Sequence, residues 1–548
     1  MFYLFSILIS FYITVVLIPP LSRLADHVNM VDIPDSRKIH KRPIPRIGGV
    51  GIIVGTVVPI LIWVPMAGEF RAFLGAIGIL FVFGVLDDLI GLNYKKKLLG
   101  QVLATIVIMA VGQTFITNLG IWTTSGEIIL PYYLALPLTF FFILGITNAI
   151  NLADGLDGLA GGICIFIFLC LAILAYLDGN TSIMICCLAI LGALLAFLRY
   201  NSFPAIVFMG DTGSQFLGFS AAVLGIYLTQ AQSTPIAKCL PLLILGLPIM
   251  DTLTVMGERI MRGESPFKAD TKHFHYQLLK IGFSQKDAVI LIYLIQALLL
   301  FLSVQFRYYT EPCIVITCLT IVIAVLLFFY LTYRAGWRFK TGLGTDRLWN
   351  ENRRDKVSSA LENVSLNYIK IVLPLGLIWL AAFAPLKTLQ GNIVLFIIFL
   401  VTIGAFFISE RAFRILFRFT SYVLAMFLLL NSQGGNIFGL PFSQQLFHYI
   451  LWGSLAGGVM IYLIATRFKF LETTPLDYLI LLLVVGVPFL PVEQVRLWHL
   501  GTVAGGMVVF IWSSEVLLNS RKKALNIFSV SCLIAVVILA LRHVTFIL

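Results

Sequence analysis

An all-α polytopic membrane protein is the fold class predicted for this 548-residue chain, and three observations predict it. Hydrophobic residues make up 59% and charged residues only 12%, whereas a soluble protein carries roughly twice that charged fraction. Mean hydropathy is +0.99. Apolar runs such as 290–303 and 479–490 are hydrophobic on almost every face, which excludes the alternating pattern of a transmembrane barrel. About eighteen spans of about 19 residues would take up roughly 340 residues, so little remains for a soluble domain. Disordered and disulfide-rich secreted classes fall with the soluble one.

The elements follow in chain order. Span 2–20 has no basic segment ahead of it and no small-residue cleavage site before Pro19-Pro20, and it reads as a retained helix. A polar segment, 21–47, precedes spans 48–67 and 71–92, the second ending on GVLDDLIGL. Three lysines at 95–97 lead into 98–116, and a nearly uncharged loop, 117–132, leads into 133–151. Gly155 and Gly158 break the chain before 159–177, which is followed by 182–199. Spans 213–230, 237–257, 287–304 and 312–333 complete an N-terminal unit of about 11. The charged segment Tyr333–Lys356 is the sharpest composition break in the chain. Beyond it lie about seven further spans: 366–386, 391–409, 414–431, 444–466, 476–491, 497–518 and 526–547. The expected organisation is a membrane domain over 1–333, a basic linker over 334–365 and a C-terminal transmembrane domain over 366–548. In the last no catalytic motif or internal repeat is visible. The eight cysteines form no CxxC pair and sit in or beside apolar stretches, which fits packing.

Charge sets the orientation. With the N-terminus outside, only Arg71, Lys238, Arg307, Lys387, Arg496 and Arg542 of the 38 basic residues fall on the outer side. The net charge of +12 is then a topology signal plus attraction to anionic membrane lipids, with no nucleic-acid partner. Polar segments 21–47, 93–97, 199–212, 258–286 and 334–365 gather on the inner face, so chemistry is expected there.

Five groups on that face stand out, because ionisable or amide groups at membrane depth need partners. Adjacent Asp87 and Asp88 repel in low dielectric, and a cation or a shared proton relieves this; the bland alternative is an acidic helix end balanced by Lys95, Lys96 and Lys97. NAINLADGLDGLAGG places Asn148, Asn151, Asp154 and Asp157 three residues apart, so neighbours share one helix face beside Gly-rich backbone. Such a face suits a base, a sugar or metal-bound phosphates, and a packed helix start with Asp caps is its plain reading. In FMGDTGSQFLG, Asp211 lies between glycines just before a span, where a carboxylate holds magnesium or merely caps the helix. His273 and His275 in HFHYQLLKIGFS are too few for zinc and suit phosphate, or are surface residues. PDSRKIHKRPIPRIGG carries Arg37, Lys38, Lys41, Arg42 and Arg46 among prolines that hold it extended. It fits recognition of a phosphorylated lipid or nucleotide, or juxtamembrane lipid binding. Together the five describe magnesium-dependent phosphoryl transfer.

These motifs resemble, in order and over roughly residues 1–333, the polyprenyl-phosphate N-acetylhexosamine-1-phosphate transferases. The PDxRKxHxxPIPRxGG loop and the HxH signature resemble the WecA/TagO branch, whereas the peptidoglycan branch usually shows three consecutive histidines. The resemblance implies transfer of a sugar-1-phosphate, GlcNAc-1-phosphate by default, from a UDP-sugar to undecaprenyl phosphate, giving a lipid-linked diphosphate sugar and UMP. It also implies a bacterial inner-membrane location, an active site on the cytoplasmic face, magnesium (manganese as its substitute) and compatibility with a homodimer. By motif, Asp87 and Asp88 match the aspartate pair that serves as base or nucleophile, with Asp87 favoured as base in a single displacement. Asp211 matches the metal ligand, with Asp154 beside it. Asn148, Asn151, Asp154 and Asp157 match nucleotide and sugar contacts. His273, His275, Arg37, Lys38, Lys41 and Arg46 match the phosphate-binding set. Many relatives carry His where this chain has Tyr276. A transporter or lipid-linked sugar handling protein is the rival, but carriers place such acids near the midplane of repeated halves, not at the inner ends of spans.

Overall fold

A computed structural model of the protein describes residues 2–33, 42–66, 68–123, 126–231, 234–265, 273–335, 356–383, 410–431, 444–466, 479–480, 500–519 and 522–547. Among them the fold is helical, with two short antiparallel ribbons. The chain divides into two compact units, Met1–Leu343 with Thr474–Leu479, and Gly344–Thr473 with Ile480–Leu548.

The first unit begins with α1 (Phe2–His27), a ribbon of β1 (Val31–Asp32) and β2 (Ile44–Pro45), α2 (Gly48–Trp63), α3 (Gly68–Ile90) and α4 (Tyr94–Ala110). The ribbon β3 (Asn118–Thr123) and β4 (Gly126–Ile129) comes next. Then follow α5 (Tyr132–Ala153), α6 (Leu159–Leu177), α7 (Thr181–Asn201), α8 (Gly210–Gln230), α9 (Leu240–Ile244), α10 (Gly246–Met261), α11 (Phe274–Lys280), α12 (Gln285–Gln305) and α13 (Glu311–Arg334). The second unit contains α14 (Lys356–Phe383), α15 (Glu410–Asn431), α16 (Gln444–Thr466), α17 (Leu500–Asn519) and α18 (Lys522–Ile547). Eight described helices are long and apolar enough to cross a membrane: α1, α3, α5, α6, α7, α12, α13 and the 361–382 part of α14. This is a polytopic membrane protein.

In lipid, small residues let backbones approach where no hydrophobic drive between helices exists. Helix α8 shows this at three places. A Cβ on Gly49 of α2 would fall 2.2 Å from Gly213 N, one on Gly84 of α3 would fall 2.6 Å from Thr212 Cα, and one on Gly218 of α8 would fall 2.8 Å from Thr147 Cα of α5. The start of α8 is therefore clamped by three helices. Around it, α6 and α7 form the buried centre with Phe166, Phe168 and Phe197, while α13 is mostly exposed along its length and suited to lipid. In the second unit α14 packs on α16 and α18, and α15 packs on α17, around Leu428, Leu455, Phe510 and Phe528.

Two features depart from the expected elements. The loop at 117–132 contains the β3–β4 ribbon, tied by Gln230, whose Oε1 accepts from Thr117 N and Asn118 N. Span 237–257 is two helices that meet at Leu245, since Pro241, Gly246 and Pro248 crowd this stretch and Pro lacks the donor that a continuous helix needs. Spans 391–409 and 476–491 lie almost wholly outside the described residues.

Candidate active site

The C-terminal ends of α3 and α5 and the N-terminal ends of α4 and α8 meet at one end of the first unit. Asp87 and Asp88 close α3, both buried, yet they do different things. Asp88 Oδ1 accepts from Asp211 N at 2.9 Å, and its Oδ2 accepts from Thr212 N at 3.0 Å and Thr212 Oγ1 at 2.6 Å. It thus caps α8 from another helix, where the residue before the helix, Met209, offers no side-chain bond. Gly210 permits this: its φ is +67°, and a Cβ there would come within 2.5 Å of Asp88 Oδ2. Asp87 Oδ1 accepts from Leu92 N at 2.7 Å, but Oδ2 is buried with no hydrogen-bond donor.

Lys97 on α4 faces this second oxygen at 3.5 Å and makes a 2.6 Å ion pair with Asp211 Oδ2. Asn151 donates to Asp211 Oδ1 and, at 2.7 Å, to Ser214 Oγ. The ammonium thus sits between two carboxylates of different helices, where a small cation is electrostatically favoured.

Beside this cluster opens a cleft of about 790 Å³. Asp88, Asn151, Asp154, Asp157 and Asp211 line one part of it, and Arg42 and Arg46 another. Asp157 Oδ2 is anchored by Ala205 N at 2.9 Å. Asp154 follows the last residue of α5; withdrawal from solvent, then the charges of Asp211, Asp88 and Asp157, push its carboxyl up to about 7, opposed by Arg46. Arg46 is held by Asp32 of the β1–β2 ribbon. That ribbon is stitched to the α8 approach by Phe208 N to Pro45 O and Gly48 N to Phe208 O, at 2.8 and 2.9 Å.

Several expected residues take other places. Asn148 does not line the cleft: it donates to Gln101 Oε1 at 2.9 Å and to Leu144 O at 2.8 Å, and Gln101 Nε2 donates to Gln215 Oε1 at 3.2 Å. This amide chain joins α4, α5 and α8. His273 and His275 are buried and face the protein interior; Tyr276 is the residue of that motif on the cleft. Burial holds the His275 imidazole down, at about 4, with Asp251 opposing. Arg37, Lys38 and Lys41 lie outside the described residues. Sequence reasoning missed Asp32, Gln101, Ser214 and Asp251, and weighed Lys97 only as a balancing charge. Asp251 had a visible signal, being a lone acid in the mostly apolar stretch GLPIMDTLTVM.

Among the described residues no three His, Cys, Asp or Glu side chains gather as a cage for a metal. Magnesium does not require one, since it binds through one or two carboxylates and completes its shell with phosphate and water. Asp211, with the donorless Asp87 Oδ2 nearby and Lys97 already drawn between them, fits such an ion.

The acids of this cluster fall within a segment that matches a known family. Residues 70–229 match the family described as Glycosyl transferase family 4, a segment holding Asp87, Asp88, Asn151, Asp154, Asp157 and Asp211. A probable undecaprenyl-phosphate N-acetylglucosaminyl 1-phosphate transferase of Bacillus subtilis (strain 168) is 36% identical over 293 residues, which is 53% of this chain and 81% of that protein. An undecaprenyl-phosphate alpha-N-acetylglucosaminyl 1-phosphate transferase of Yersinia pestis is 32% identical over 320 residues, 58% of this chain and 87% of its own length. Identity at this level over most of both relatives, with the acidic cluster inside the matched segment, makes this chain a member of glycosyl transferase family 4.

Proposed function

We propose that the protein transfers N-acetylglucosamine-1-phosphate from UDP-N-acetylglucosamine to undecaprenyl phosphate. An oxygen of the lipid phosphate attacks the sugar-bearing phosphorus, the bond from that phosphorus to the oxygen bridging the donor diphosphate breaks, and UMP leaves with that oxygen and the bond's electron pair. The products are the lipid-linked diphosphate sugar and UMP. The observation that carries the reading is the convergence of Asp87, Asp211 and Lys97 beside a cleft wide enough for a nucleotide sugar.

The two aspartates of α3 divide the work. Asp88 is consumed in holding the α8 start, so it positions Asp211. Asp87 Oδ2 accepts no hydrogen bond and faces Lys97, and it takes the proton of the lipid phosphate. Asp211, with Asp154 beside it in the cleft lining, would hold magnesium, which supplies charge neutralisation for the diphosphate. Asn151 orients Asp211. Asp157 and its anchored loop shape the nucleotide side, and Arg46 meets negative phosphate. Charge patterning supports placing this end of the unit on the cytoplasmic face, and the bacterial relatives support an inner-membrane location.

The test is UMP release from a panel of UDP-sugars by the purified full chain with undecaprenyl phosphate and magnesium. Release with UDP-N-acetylglucosamine that needs both lipid and magnesium is expected. Absence of release with every donor would overturn the reading.

A further inference from the structure

Asp251 lies in the middle of α10 and outside the cleft, yet it is buried and makes two contacts with the histidine turn. Its Oδ2 meets His273 Nδ1 at 2.9 Å, and its Oδ1 accepts from Phe274 N at 2.8 Å. His273 precedes α11 in an extended conformation and gives that helix no side-chain cap of its own. The cap comes instead from Asp251 on a different helix. Phe274 stacks on Phe329 of α13, with ring centroids 5.6 Å apart, which fixes the turn on its other side.

With the turn held in this way, the ring of His275 lies parallel to that of His273, 5.9 Å away, and 4.3 Å from the ring of Tyr276. His275 is 2% exposed, and its Nε2 has no hydrogen-bond partner. The reason is steric. A Cβ on Gly155 would lie 2.3 Å from that nitrogen, so the imidazole fills the space directly behind Gly155. Gly155 sits between Asp154 and Asp157 in the loop that walls the cleft, and Tyr276 lines the same cleft.

We propose that Asp251 is a positioning residue for the nucleotide-sugar pocket: it fixes the His273–Tyr276 turn so that His275 backs Gly155 and Tyr276 faces the cleft. The inference rests on the reading of that cleft as the UDP-sugar site. It gives the two histidines a role through the wall rather than on the diphosphate, and it makes Tyr276 the group of this motif that meets the donor.

The experiment compares wild type with Asp251→Ala, Asp251→Asn, Gly155→Ala, His275→Ala and the Gly155→Ala/His275→Ala double variant. UDP affinity is measured by titration calorimetry, and KM for each substrate and kcat are measured by UMP release. Asp251→Ala should raise the KM for UDP-N-acetylglucosamine and the Kd for UDP about ten-fold, while kcat and the KM for undecaprenyl phosphate stay within about three-fold. Asp251→Asn keeps an acceptor for Phe274 N and should recover most of the loss. Gly155→Ala should mimic Asp251→Ala, and adding His275→Ala should make it no worse, because both changes remove one brace. Gly155→Ala decides the matter if Asp251→Ala does not fold. Unchanged UDP affinity in folded Gly155→Ala, a loss confined to kcat, or additive losses in the double variant would each overturn the proposal. A wild-type chain that binds UDP but releases no UMP removes the transferase reading alone, since affinity still reports on the brace. A wild-type chain that does not bind UDP removes both.

Discussion

Asp87 and Asp88 share their neighbours in sequence but not their surroundings, and one residue of helical rotation is the cause. Asp88 points at the α8 start and spends both oxygens on three donors, whereas Asp87 keeps one buried oxygen without a donor. Asp87→Asn should therefore lower UMP release by about 10²- to 10⁴-fold, the scale of a lost general base, with little change in thermal stability. Asp211→Asn should cost at least about 10²-fold and raise the magnesium concentration needed for half-maximal rate, because a neutral amide is a poor magnesium ligand. Near-normal turnover in either variant removes that residue from its role. His275 sets a pH dependence. Its folded-state value, about 4, lies below the ordinary 6.5, so the unfolded chain binds more protons between those values. Its contribution to stability is complete above about pH 6.5 and lost as pH falls toward 4, up to about 3 kcal/mol by the linkage slope. The melting midpoint in detergent should drop from pH 7 to pH 5, and His275→Gln should flatten that drop. An unchanged slope would contradict the buried, neutral imidazole.

At the scale of elements, the amide chain from Asn148 through Gln101 to Gln215 locks α4 against α5 and α8, and Lys97 stands one turn before Gln101 on α4. Gln101→Leu should destabilise the protein by about 1–3 kcal/mol, the cost of leaving buried amides unpaired, and should weaken the hold on Lys97. Thermal denaturation and the rate at limiting undecaprenyl phosphate measure the two effects; neither changing would sink the locking role. Spans such as 444–466 and 133–151 were legible because about twenty mostly apolar residues in a row admit few alternatives. Asp87, Asp88, Asn151, Asp154, Asp157 and Asp211 were legible as a group, since acids and amides at span ends are costly without a purpose. The role of Asn148 was not, because helical spacing puts it on the right face without saying which neighbouring helix meets it. The β3–β4 ribbon was hidden in a nearly uncharged loop with weak alternation, and its hold on Gln230 is a contact more than a hundred residues distant. The α9–α10 break was marked by Pro241, Gly246 and Pro248, whose signal is outweighed by hydropathy averaged over a span. Asp251 was overlooked for the same reason.

For the whole molecule, the matched family segment and all the cleft residues belong to the first compact unit, and the second has its own apolar core. A chain ending near Lys356 should accordingly retain sugar-phosphate transfer within about ten-fold, provided that it is monodisperse in detergent. A well-folded truncation that binds UDP but releases no UMP would show that the second unit is needed for activity. The charge-derived orientation makes a further demand. Cysteines placed at Lys41, Lys96 and Lys272 should be protected from an impermeant reagent in intact cells while one at Ser125 reacts, and the reverse pattern would invert the topology.

The most direct measurement follows the phosphorus that the account says is transferred. Purified protein is given UDP-N-acetylglucosamine labelled at the sugar-bearing phosphorus, with undecaprenyl phosphate and magnesium, and the label is followed between water and the lipid extract. The account predicts that the label enters the lipid in step with unlabelled UMP in the aqueous phase, one for one, and that Asp87→Asn stops both. Label leaving in UDP while unlabelled sugar reaches the lipid would mean that the sugar is transferred without its phosphate, and label remaining in intact donor would mean no transfer; either result contradicts the account.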